Sequence, residues 1–420
     1  MVKNKTQILF IHQNFPGQFK MLAPELALNS KYEVHAMYAE DIKTNIPDIN
    51  YHKYIIDKVN KAIHPLALEF ESKMIRAESA YLKAEQLKEE GLNPKLIITH
   101  PGWGESFLLR VLWPKAKFLS YHEFYYSIED SDIDFDETDP FRPNDQTHTK
   151  KKLVARNAPL LTPLVESDAV ITPTEFQKST APEIFHDKIS VIHDGVDTDA
   201  IKFYSDSFIT VKGGTNDIKL TRDSKVVSFV NRTLEPYRGY HKFIKSIPAI
   251  QKAHPETYFI LVGDKEPDKV SYGGGPPKGQ SYKDLFLKDV IDDLDMSKII
   301  FPGKIAYEHL LSLFCISSAH VYLTYPFVLS WSLLEAMACE ALIIGSSTKP
   351  VKEVIQDKKN GLLVDFFDVE GISKSVIDAL SNPKKYEKLR KNARKTIVDN
   401  YDLKKVSLPK QIKLIESLLK

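Results

Sequence analysis

Two arginines, Arg232 and Arg238, stand six residues apart just after the apolar run KVVSFV. A guanidinium keeps its charge at any working pH and can hold a phosphate through two parallel hydrogen bonds. The pair therefore reads as a phosphate grip, against the plainer reading of two surface arginines. Further along, the stretch YPFVLSWSLLEAMACE (325–340) is mostly apolar yet contains Glu335. A carboxylate buried without partners is strongly destabilising. Ser330 and Ser332 precede it at what reads as a helix start, where free backbone N–H groups favour anions. Ser332-x-x-Glu335 also has the spacing of a capping box, in which Glu335 would reach back to a backbone N–H. The two roles are compatible. In the first half His12, His100 and His122 each end an apolar run, with Glu123 beside the last and Trp103 close to the second. Taken singly, each histidine is as well explained as a structural residue.

The elements that must position these residues are short β-branched runs alternating with helical patterns, the signature of a parallel doubly wound sheet. TQILFIHQ, YEVHAMYA, KLIITH, KFLSYH, DAVITP and ISVIHD read as strands in the first half. KVVSFVN, TYFILVGD, KIIFPGK, AHVYLTYP, ALIIGSS and GLLVDF repeat the scheme in the second. A long helix is expected over 62–90, where apolar residues recur at spacings of three and four. In such sheets ligands sit beyond the carboxyl ends of the strands. Polar, glycine and histidine residues recur at those ends: His12–Gly17, His100–Glu105, Tyr121–Tyr126, Asn231–Gly239, Gly303–Lys304 and Tyr325–Glu335. That recurrence argues for a cleft between two facing sheets. The expected division is 1–205, a linker at 206–224, 225–395, and a C-terminal helix at 396–420 packing back on the first domain.

The 420 residues exceed one ordinary core and fit two domains. A net charge of +1 gives no global case for nucleic acid. Two cysteines, Cys315 and Cys339, exclude a disulfide scaffold and fit a reducing compartment. No apolar segment is long enough to span a bilayer, so a cytoplasmic chain is expected, with peripheral contact at the inner face of a membrane left open. Residues 383–420 carry twelve basic against four acidic side chains, read as a solvated face or as contact with anionic lipid or an acidic partner. Residues 123–139 carry eight acids and no base. Their spacing lacks the glycine and closing glutamate of a calcium loop, so they read as a solvated loop on the acceptor side. KEPDKVSYGGGPPKGQ (265–280) reads as a flexible surface loop that could act as a lid. No metal site and no cofactor are expected.

FVNRTLEPYRGYHKFI, FPGKIAYEHL, LSWSLLEAMACEALIIGSS and NGLLVDF together resemble the C-terminal domain of retaining glycosyltransferases of family 4. HQNFPGQFKMLAPELA and HPGWGE resemble the N-terminal domain of one bacterial subgroup of that family. The resemblance implies the GT-B fold: two Rossmann-like α/β domains facing across a cleft, the first for the acceptor and the second for a nucleotide-sugar donor. It implies transfer of a hexose from a UDP- or GDP-sugar, with retained configuration, to a hydroxyl of a glycan, glycolipid or glycoprotein. The nucleotide sugar is then a co-substrate. By the same resemblance Arg232 and Arg238 grip the diphosphate, with Arg238 where the family usually has Lys. Glu335 holds the ribose, and His122 meets the sugar near its anomeric carbon. Gly17, Gly303, Lys304, Ile305, Leu329, Ser330, Trp331 and Ser332 complete the donor set. His12, His100, Trp103 and Glu123 fall on the acceptor side. The family usually carries a second glutamate eight positions before the first, and here that position is Phe327. Two other readings share the fold: a nucleotide-sugar epimerase, and a non-catalytic partner subunit.

Overall fold

The structure is a computed structural model that describes residues 5–42, 45–58, 62–129, 131–139, 141–142, 145–212 and 217–420. Asp130 and Pro140 of the acidic run, and 213–216 of the expected linker, lie outside the described residues. The chain forms two compact units. One is built from Met1–Ser127, Asp145–Gly195 and Leu403–Lys420, the other from Ile128–Asn144 and Val196–Asp402.

The first unit holds a seven-stranded parallel sheet. Its strands are β1 (Thr6–Ile11), β2 (Tyr32–Tyr38), β3 (Ile49–Lys53), β4 (Leu96–Thr99), β5 (Lys117–Tyr121), β6 (Ala169–Thr172) and β7 (Ile189–Val191). Their order is β3-β2-β1-β4-β5-β6-β7, so the winding reverses between β1 and β4. Alternate residues of β1 serve opposite faces. Ile8 and Phe10 join one core cluster, and Leu9 and Ile11 join the other. Leu403, Leu408 and Ile415 from the end of the chain complete the first of these clusters. Helices Leu68–Glu89 and Gln146–Glu166 also belong to this unit.

In the second unit the hairpin β8 (Ile209–Val211) and β9 (Ile218–Leu220) occupies the stretch read as linker, and its Val211 and Leu220 enter a core cluster. The main sheet contains β10 (Val226–Thr233), β11 (Tyr258–Asp264), β12 (Ile299–Gly303), β13 (Ala319–Tyr322), β14 (Ile343–Ser346) and β15 (Leu362–Val364). All its pairings are parallel, in the order β12-β11-β10-β13-β14-β15. Val227 and Phe229 face one core cluster, Val226 and Val230 the other. Full burial of each such side chain contributes about 1.5–3 kcal/mol.

The acidic run corrects its sequence reading. Residues 128–144 belong to the second unit, and part of the run is buried there rather than solvated. The Asp136 side chain is 0% exposed and accepts hydrogen bonds from His241 Nε2 at 2.8 Å and Thr138 Oγ1 at 2.6 Å. Lys242 Nζ lies 3.5 Å away, and the Tyr325 hydroxyl donates at 3.3 Å. Burial alone would raise the Asp136 carboxyl, but the bonds from His241 and Thr138 outweigh it and hold it well below the usual range. The Tyr237 hydroxyl donates to Asp132 in the same way.

Candidate functional site

In the second unit the end of β10 departs from regular pairing. Its register with β11 shifts between Val230 and Thr233. A bulge of this kind re-aims the side chains it contains. Arg232 lies inside it, exposed, with no side-chain hydrogen bond or ion pair among the described residues. Arg238 differs. It sits in the turn Pro236–Arg238, is 4% exposed, and its Nη1 donates to Thr324 Oγ1 at 2.8 Å and to the Val328 carbonyl at 3.1 Å. Its guanidinium also lies over the Tyr272 ring, 4.9 Å from the centroid. Arg232 is thus free to meet an anion, while Arg238 braces the loop that follows β13.

The helix Trp331–Ala338 starts at the end of that loop. Its N-cap is Ser330, whose side chain accepts from the Ser332 N–H at 3.2 Å, and the two serine hydroxyls lie 2.6 Å apart. The capping-box reading of Ser332 and Glu335 is therefore wrong. Ser332 is already inside the helix, so Glu335 lies beyond the position from which it could close the box. Glu335 is 7% exposed and accepts from the Tyr307 hydroxyl at 2.7 Å, the first residue of the facing helix Tyr307–Ile316. Leu329 is buried in a core cluster and Ile305 packs half-buried against it, while Trp331 is half-buried. Gly303 turns with φ +78°, and the exposed Lys304 pairs with Asp264 at 2.9 Å.

In the first unit His12, His100 and His122 are buried. His12 Nδ1 accepts from the Asn14 N–H at 3.0 Å, which leaves Nε2 to donate to Gln18 Oε1 at 2.7 Å. Burial pushes its pKa down to about 4. Gly17 was expected to bring backbone close to a diphosphate. Its open side is instead filled by the His12 ring: a Cβ there would fall 2.1 Å from His12 Nε2, at a φ of +48°. His12 also packs against the rings of His100 and Trp103, with centroids 5.3 and 5.0 Å away.

A cavity of about 240 Å³ in this unit gathers four of the residues singled out in the sequence: His100, Trp103, His122 and Glu123. His100 Nε2 lies 3.5 Å from Glu123 Oε2. Burial pushes His122 down to about 4, and its Nε2 lies 3.4 Å from Thr180 Oγ1. Arg156, stacked on Tyr126 at 3.7 Å, and Lys73, paired with Glu69 at 3.0 Å, also line the cavity.

The profile of the Glycosyl transferase family 4 group matches residues 30–201, and that of Glycosyl transferases group 1 matches residues 215–396. The chain belongs to glycosyltransferase family 4. Its fold is GT-B. An uncharacterized glycosyltransferase of Methanocaldococcus jannaschii is 26% identical over 257 residues, 60% of this family 4 chain and 59% of that protein. The chain thus spans about three-fifths of that relative's length. Sucrose-phosphate synthase from Thermosynechococcus elongatus superposes with a TM-score of 0.73 at 16% identity, covering 99% of both chains. Anabaena HepE in complex with UDP-glucose superposes with a TM-score of 0.61 at 14% identity, covering 98% of this chain and 99% of that one. At these identities the likeness is one of fold.

Two features of this family 4 chain escaped the sequence reading. Phe327 does not leave a gap where the family has a carboxylate; its ring packs edge-on against Tyr237 and Tyr272, with centroids 5.7 and 5.0 Å away. Glu235, between the two arginines, is 0% exposed, and burial pushes its carboxyl up to about 7. The signal was present in NRTLEPYRG, a carboxylate flanked by Leu and Pro, but nothing local distinguishes it from a surface glutamate.

Proposed function

We propose that this chain is a retaining glycosyltransferase that moves a hexose from a UDP- or GDP-sugar to a hydroxyl of a glycan, glycolipid or glycoprotein. The observation that carries this reading is the end of the second sheet. An exposed arginine with no side-chain hydrogen bond or ion pair among the described residues, Arg232, stands on a bulge, and a nearly buried carboxylate, Glu335, accepts from Tyr307 near a helix start capped by Ser330. A cation suits a diphosphate. A carboxylate, which accepts several hydrogen bonds at once, suits a pair of ribose hydroxyls. In this reading the leaving diphosphate helps deprotonate the acceptor on the same face of the sugar. The protein binds that diphosphate and neutralises the charge that develops on it. The cavity of the first unit, where rings lie beside two acidic and two basic side chains, suits a sugar acceptor without net charge. His122 there is a contact residue, not a proton donor at neutral pH, because burial keeps it unprotonated.

A thermal-shift screen against UDP-, GDP- and ADP-sugars tests the donor assignment, since a ligand bound by the folded state alone raises its stability by mass action. Stabilisation by a UDP- or GDP-sugar that Arg232→Ala abolishes is the expected result. No shift with any of the three classes sinks the reading. Incubation of the stabilising donor without acceptor then separates transfer from epimerisation: net conversion to an epimer favours the epimerase. The aromatic packing of Phe327 in place of a carboxylate favours a non-catalytic partner subunit over full activity only if the donor binds and no acceptor is glycosylated.

A further inference from the structure

The insertion 265–280 has three consecutive glycines and three prolines, a composition that suits a loose lid. The structure instead pins it at several points. At its base Asp268 accepts from the Gly279 N–H at 2.7 Å, and its own N–H donates to the Gln280 carbonyl at 2.9 Å. In its middle the Ser271 and Tyr272 N–H groups both donate to Glu235 Oε2, at 2.7 and 3.4 Å, and Ser271 Oγ lies 2.6 Å from Thr233 Oγ1. Gly273, at φ +76°, lies so close to Tyr237 that a Cβ would fall 2.6 Å from the ring, and the Gly274 carbonyl accepts from the Tyr282 hydroxyl at 2.5 Å.

Glu235 is central to this anchoring. It is fully buried, and its second oxygen, Oε1, has no hydrogen-bond partner among the described residues. An incompletely satisfied buried carboxylate works against stability. Such local strain concentrates where a protein needs a defined geometry. The geometry defined here is that of Tyr272. Its ring stacks near Tyr237, with centroids 6.3 Å apart, meets the Phe327 edge, and lies under the Arg238 guanidinium. Arg238 in turn holds Thr324 and the Val328 carbonyl, in the loop that leads to Ser330.

Resting on the donor reading above, we infer that Glu235 is a positioning residue: it fixes the insertion as a rigid wall, so that Tyr272 sets Arg238 and the 324–330 loop for the nucleotide sugar. The contact that a carboxylate at position 327 would make is thereby replaced by an aromatic wall that the insertion supplies. Charge repulsion does not enter, since the charged groups that act on Glu235 are Arg238 and Arg232, with the phenols of Tyr272, Tyr237 and Tyr282 on the same side.

The test uses the full chain with UDP-glucose and GDP-mannose as probes. In Glu235→Ala the donor KM should rise about tenfold or more while kcat stays within about threefold, because a binding geometry is lost and not a reacting group. Tryptic cleavage at Lys265, Lys269 and Lys278 should quicken in the same variant. Glu235→Gln keeps an oxygen for the Ser271 N–H and should return both readouts to near the wild type. Tyr272→Ala should raise the donor KM and leave the insertion protected. Faster cleavage with an unchanged donor KM in Glu235→Ala overturns the inference, as does failure of Glu235→Gln to rescue. If calorimetry shows that the wild type binds neither probe, the donor reading itself falls, and this inference with it. Wild-type binding that Glu235→Ala leaves intact overturns this inference alone.

Discussion

The two sheets are wound alike and armed differently. Counting from the first strand of each, both run 3-2-1-4-5-6, and the first adds one more strand, β7. The ends of β1, β4 and β5 carry His12, His100 and His122, all buried, the first two against rings. The ends of β10, β12 and β13, the first, third and fourth strands of their sheet, lead to Arg232, Lys304 and the loop before Glu335, where the cations are exposed and the carboxylate accepts from the Tyr307 hydroxyl. The same winding thus offers strand ends in both sheets, and packing decides whether they serve stability or ligand. Damage to the second set should remove activity before stability, and damage to the first should do the reverse.

The sharpest break in that contrast comes from Arg232→Ala. Loss of a charge-assisted phosphate contact at a developing charge typically removes about 10²–10³ in rate. Initial rates with UDP-glucose should fall by that order, while circular dichroism and the melting temperature stay as in the wild type. A lower melting temperature would mean that Arg232 is structural after all. Gly17→Ala tests the opposite set. Strain at positive φ together with a clash on His12 should destabilise the first unit by about 2–4 kcal/mol. Urea unfolding should show the loss, and donor affinity should not change.

Glu335→Gln is milder. It keeps an acceptor for Tyr307 and removes charge from the proposed ribose contact. Hydrogen bonds to a charged group contribute about 1.5–3 kcal/mol, so donor KM should rise by roughly 10- to 100-fold at a near-constant kcat. An unchanged KM would return Glu335 to a structural role.

The smallest effect concerns pH. In the first unit burial holds His12, His122 and His193 down to about 4, whereas in the unfolded chain each takes up its proton near 6.5. Their neutral burial is therefore without penalty above about pH 6.5, and stability is lost as pH falls from there towards 4. Glu235 in the second unit has the opposite sign. With its carboxyl raised to about 7, it is protonated in the fold where the unfolded chain is ionised, so its burial weakens the fold as pH rises from about 4.5 to 7. His320, lowered to about 3, follows the first pattern within the second unit. Glu105 in the first unit, raised by burial to about 7, offsets part of the histidine loss there. Hydrogen exchange at pH 5 and 7.5 should still show the first unit losing about 3 kcal/mol more than the second on acidification. Equal losses would break the contrast.

Most of the strands were legible because parallel strands buried on both faces are near-continuous apolar runs. The edge strand β3 was not, since INYHK alternates half-buried and exposed residues without an apolar run. Helix Gln146–Glu166 was hidden by Pro159 and Pro163, which argue locally against a helix. Among site residues the strand-end positions of Arg232, His122 and Glu335 could be read from pattern and resemblance. The fate of Arg238, Gly17 and Asp136 could not, because each depends on partners that no local pattern announces. Asp136 and His241 are 105 residues apart in sequence. The same holds for Glu235 and the insertion, where a flexible composition concealed a fixed structure.

The chain's return to its first unit bears on how the protein is made. Leu403, Leu408 and Ile415 finish a core begun by Ile8 and Phe10. During synthesis that core stays open until nearly all of the second unit has left the ribosome. Residues 128–144, made early, wait for His241 and Lys242 before Asp136 has its partners. Neither unit is therefore a contiguous piece of the message, and a simple cut between Gly195 and Val196 would leave each half lacking a segment held by the other.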